Sequence, residues 1–142
     1  MKRKIKAIIV TVVCFTIMTV QVMAASTASS YSGPIGALIT GKLGVTTDIS
    51  GGRPVAKHLY ISTKVGKTVD EIIVKYDIRN KRDGELANVH KASGIYEHED
   101  VNEVTDEYIF SSSELGGSYK AFATHEMYNN GYSHAVYTAT DI

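Results

Sequence analysis

The sequence predicts an all-β fold, an antiparallel β-sandwich or small barrel of about seven or eight strands, and three observations predict it. Residues 58–65 and 71–79 alternate apolar and polar side chains with period two. Turn-forming Gly, Asn and Asp recur at roughly ten-residue spacing, most clearly at Gly51-Gly52, Asp83-Gly84 and Asn130-Gly131. No helical or heptad period appears after residue 25. Residues 34–142 are expected to form one domain, long enough for a single hydrophobic core.

Residues 1–24 predict a cleavable signal-peptide helix. Lys2, Arg3, Lys4 and Lys6 make a basic start, and the run from Ala7 to Val20 is apolar almost throughout. Val22-Met23-Ala24 then offers a signal peptidase the small residue it needs, so the expected cut follows Ala24, with Ala25 the alternative. A retained anchor is the competing reading, because an apolar stretch of this length is near the lower limit for spanning a bilayer. Gln21 interrupts it and no charged stop follows, which favours cleavage. Cys14, the single cysteine, lies inside the apolar run, where it suits neither lipid attachment nor a disulfide in the mature chain. A disulfide-free exported domain points to a bacterial secreted protein.

Cleavage changes the charge balance. It removes four of the 15 Lys and Arg residues and none of the 15 Asp and Glu residues, leaving 11 − 15 = −4. A mildly acidic domain without a basic cluster argues against nucleic acid, or an anionic membrane, as partner. The expected partner is a protein or a component of the cell envelope.

Residues 25–33 are small and hydroxyl-rich and are expected to be a flexible lead-in. Residues 35–50 mix β-branched residues with Gly36, Gly41 and Gly44 and predict a strand broken by a turn or bulge. The two alternating runs, 58–65 and 71–79, are expected to pair through a hairpin loop over 66–69. Asp83-Gly84 marks the next hairpin, and 86–96 returns as a strand of weaker pattern. Residues 97–107 hold six carboxylates and little periodicity, which predicts an exposed acidic loop. A short strand over 108–111 and a loop over 112–117 lead to the most distinct element, a long hairpin over 118–142 folded about Asn129-Asn130-Gly131.

Five histidines and nine tyrosines, with no tryptophan, supply the candidate functional residues. His125 and His134 are the candidate metal ligands. A two-residue Asn130-Gly131 turn sets His125 opposite Val136 and His134 opposite Met127, placing both imidazoles diagonally on one face, about 7 Å apart at Cβ. A three-residue turn sends them to opposite faces. No third ligand is evident, and no cofactor is expected. The zinc-hydrolase pattern of two histidines four residues apart fails at both of its beginnings: His125 is followed by Asn129 and His98 by Asn102. Gly66-Lys67-Thr68 lacks the leading glycine of a phosphate loop, because Ile61 stands there. Tyr128, Tyr132 and Tyr137 are the candidate binding residues, because amphipathic rings on a sheet suit a recognition surface.

Export and Thr/Ser/Tyr-rich strands ending in Ala135-Val136-Tyr137-Thr138-Ala139 resemble the short exported proteins of Gram-positive bacteria. There is also a similarity in size and strand composition to small β-sandwich bacteriocins of the lactococcin type, which implies no residue role. The leading expectation is therefore a secreted, non-catalytic protein that binds a partner through its surface. A secreted antibacterial protein is the alternative, and a histidine-dependent metal enzyme stands third.

Overall fold

The structure, a computed structural model, describes residues 18–20 and 25–142. Among them the chain is all-β. Seven strands form one antiparallel sheet that bends over on itself into a nearly closed, barrel-like shape. In chain order they are β1 (Met18–Val20), β2 (Ala25–Ser32), β3 (Ala37–Ser50), β4 (Arg53–Arg82), β5 (Glu85–Phe110), β6 (Tyr119–Asn129) and β7 (Tyr132–Asp141). A single 3-10 turn, Ser112–Glu114, joins β5 to β6.

The long strand β4 organises the rest. Its first part pairs with β3 on one side, and its second part pairs with β6 on that same side. β5 follows the other side over nearly its whole length. Between Lys64 and Val69 the register with β5 shifts, so that residues 65–68 stand opposite Asn102 alone. Such a bulge bends the strand and increases its twist, and here the sheet folds over. One half of the sheet is then β2-β3-β4-β5 and the other β7-β6-β4-β5, each with different portions of β4 and β5.

Alternation fills the space between the halves. Ile39 and Leu43 from β3, Leu59, Ile61 and Val65 from early β4, and Ile72, Val74 and Ile78 from late β4 are all almost fully buried. Ala121, Ala123 and Met127 of β6 face them, with Val136 of β7. Each of the Val, Leu, Ile and Met side chains contributes about 1.5–3 kcal/mol when removed from water. A second, aromatic cluster packs where β5 doubles back. Tyr76 stacks on Tyr96 at 5.5 Å, and the contacts continue through Tyr108 and Phe110 to Tyr119. These tyrosines are structural. Tyr96, which also donates to the Glu107 carbonyl, has its pKa pushed up to about 12 by burial.

Several expectations are corrected. Residues 25–32 are not a lead-in: β2 pairs with β3 along its whole length, from Ala25 opposite Gly44 to Ser32 opposite Ala37. Ladder hydrogen bonds come from the backbone, so small Ala and Ser side chains suffice. Residues 66–69 are not a hairpin loop, because the two alternating runs belong to one bent strand. The acidic stretch is not a loop either. It lies within β5 and alternates, with Glu97, Glu99, Glu103 and Glu107 outward and His98, Val104 and Asp106 inward. Residues 37–50 form one strand, and the expected bulge falls at Asp48/Ile49. The segment read as a signal-peptide helix, residues 1–24, lies mostly outside the described residues. Three of its members, Met18–Val20, run as a strand beside Thr47–Ile49 of β3.

Candidate binding surface

The β6–β7 hairpin closes in the two-residue register. Asn129 pairs with Tyr132, and Asn130 and Gly131 hold φ values of 51° and 79°. Two consecutive positive φ angles make the turn whose twist matches that of the strands. The Asn130 amide donates to the Asp70 carboxylate at 2.7 Å, tying the tip to the corner of β4.

This register fixes which candidates meet. His125 lies opposite Val136 and His134 opposite Met127, on the inner face. His125 is completely buried. Its Nδ1 bonds the Thr63 hydroxyl at 2.7 Å and its Nε2 the Thr138 hydroxyl at 2.8 Å. A neutral imidazole has one donor and one acceptor, and the two threonines complement them. The ring rests on Gly41, where a β-carbon would lie 2.3 Å from it, so β3 needs a glycine there. His134, half-buried, bonds Ser30 of β2 through Nε2 at 2.9 Å and joins the two edges of the barrel. Both ring nitrogens of His125 are taken by hydroxyls, so metal binding there would require one of them to leave. Among the described residues, no three His, Cys, Asp or Glu side chains are grouped to hold a metal ion.

Tyr128 and Tyr137 share the outer face of the same hairpin. Tyr132 does not join them. It is an odd number of residues from Tyr137, so it points to the other side of β7, exposed at the hairpin end. The outer face is a grid read across three strands: Lys75, Thr124 and Tyr137 form one row, Asp77, Phe122 and Ala139 the next, Ile73, Glu126 and Ala135 the one before. Tyr137 stands between two alanines, which leaves its ring 71 % exposed. The small neighbours open a shallow hollow on each side. One, of about 330 Å³, is floored by Phe122, Thr124 and Ala139 beside Asp77. The other, of about 400 Å³, is more polar and holds Glu126, Tyr128 and Ser133. Lys75 and Tyr137 line both.

The polar groups of this face are already arranged. Glu126 accepts from Lys75 Nζ at 2.8 Å and from the Tyr128 hydroxyl at 2.7 Å. Burial pushes the Glu126 carboxyl up, but the bonds from Lys75 and Tyr128 outweigh it and hold it below its ordinary range. The bond to Glu126 raises both Lys75 and Tyr128. Beyond Phe122, Arg79 and Lys120 each stand 5.8 Å from its ring. Sequence reasoning found Tyr128 and Tyr137 but missed Lys75, Phe122 and Glu126. Lys75 and Glu126 are 51 residues apart, and only β4–β6 pairing joins them. No family model matches the chain, and neither the curated proteins nor the solved structures contain a match.

Proposed function

We propose that this is an exported bacterial protein that binds a protein or cell-envelope partner through the outer face of β4, β6 and β7, without catalysis. The observation that carries the reading is Tyr137, a large ring left 71 % exposed between two hollows, amid fixed charges. A rigid amphipathic ring with little rotamer entropy to lose is a frequent anchor of binding energy. The neighbouring Lys75–Glu126–Tyr128 network offers polar partners that need no rearrangement. Export rests on the basic start, apolar run and small-residue cut at Ala24, and the signal-peptide helix belongs to this proposal.

Retention of the purified protein on envelope preparations from Gram-positive cells tests it. Tyr137→Ala is expected to lower retention about tenfold or more, the size of a tyrosine anchor, while leaving the melting temperature unchanged. Equal retention of both proteins, or no retention of the unaltered one, would reject the surface.

A further inference from the structure

The inward row of β4 begins with a charge. Val65, Thr63, Ile61 and Leu59 point into the interior and are buried. Two residues before Leu59 the same alternation turns Lys57 inward, opposite Thr47 of β3 and Phe110 of β5. Its ammonium donates to the Leu115 carbonyl at a long 3.4 Å and pairs with no carboxylate among the described residues. Asp141, which lines the same cavity, is held by Lys81 at 3.1 Å.

Lys57 lines a cavity of about 360 Å³ between the β3–β4 hairpin and the end of β7. Val45, Pro54, Leu115 and Ile142 make its apolar walls, and Thr47 and Asp141 are its other polar members. The volume falls within the range of small-molecule sites, and an apolar lining with a few placed polar groups, here Lys57, Asp141 and Thr47, is their usual composition. The cavity shares no lining residue with the hollows beside Tyr137.

An ammonium at an apolar chamber, with no ion-pair partner among the described residues, is satisfied by an anion that brings its own hydrocarbon. Asp141, the other charge in the wall, is paired with Lys81, which leaves Lys57 to the ligand. The geometry points to a binding site for a fatty carboxylate of medium length, its head on Lys57 and its tail along Val45, Pro54, Leu115 and Ile142. This site is independent of the proposed outer-face function.

The test uses decanoate and the uncharged decan-1-ol as probes, titrated into the purified, isotopically labelled protein and followed by amide chemical shifts and calorimetry. Decanoate is expected to bind saturably, more tightly than decanol, with shifts centred on Val45, Thr47, Leu115 and Ile142. Lys57→Met keeps most of the apolar stem and loses the charge. It is expected to weaken decanoate about tenfold, as for one charge-assisted hydrogen bond, and to leave decanol unchanged. No saturable binding, shifts centred beside Tyr137, or undiminished decanoate binding by folded Lys57→Met would each overturn the site. Should that variant not fold, the comparison of probes on the unaltered protein decides: decanol binding as tightly as decanoate would overturn the role of Lys57.

Discussion

Protonating His125 would place a cation between Gly41, Thr63 and Thr138, where it meets hydroxyls and an apolar wall but no carboxylate. Burial accordingly lowers its pKa from 6.5 to about 4. In the unfolded chain the imidazole regains its ordinary value, so between those limits the unfolded state binds the extra proton. The neutral imidazole thus contributes stability in full above pH 6.5, and that contribution is lost as pH falls through the interval, by about 3 kcal/mol in all. Urea unfolding across this range is expected to show the loss, and His125→Gln, which keeps a donor and an acceptor, is expected to flatten the profile relative to the unaltered protein. Parallel profiles for the two proteins would mean that His125 is not the group responsible. The histidine pattern in the sequence could not distinguish this role from metal ligation, because the decisive partners come from β4 and β7.

Among the elements, β2 and β5 show how composition conceals a strand. β2 carries no large aliphatic side chain to reveal a period, yet its backbone is paired with β3 throughout. Hydrogen exchange is expected to show slowed amides along 25–32, whereas a flexible lead-in would exchange at the rate of an unstructured peptide. β5 conceals its period differently. As an edge strand that pairs only with β4, it leaves its outward positions in water, and carboxylates there oppose the addition of a further strand from another molecule. Two of the inward partners are polar as well: His98 meets Asp106 at 3.0 Å where the strand doubles back. An acidic run with half-buried polar alternates looks like a loop until its other half is placed beside it.

At the scale of the whole molecule, the bend in β4 makes the two halves of the sheet one cooperative body. Each half contains part of the same two strands, and the core residues of β4 face across to β3, β6 and β7. Unfolding in urea is expected to be a single transition. Far-ultraviolet circular dichroism reports on the ladder and tyrosine fluorescence on the aromatic cluster, and the two curves should coincide. Separate midpoints would show that the halves open independently.

The sequence by itself determined the all-β class, the antiparallel sheet, the turns at Asp83-Gly84 and Asn130-Gly131, and most of the buried aliphatic residues. These follow from alternation and positive φ, both local properties of the chain. It also placed Tyr128 and Tyr137 among the candidate residues. Only the tertiary structure decided that 66–69 is a corner instead of a hairpin, that His125 is sealed between two threonines, and that Lys57 faces an apolar chamber. The physical reason is that a Gly-containing break between two alternating runs is compatible with either a reversal or a bulge. The choice between them is made by the long-range pairing of β5 with both parts of β4, and every cross-sheet neighbour depends on that choice.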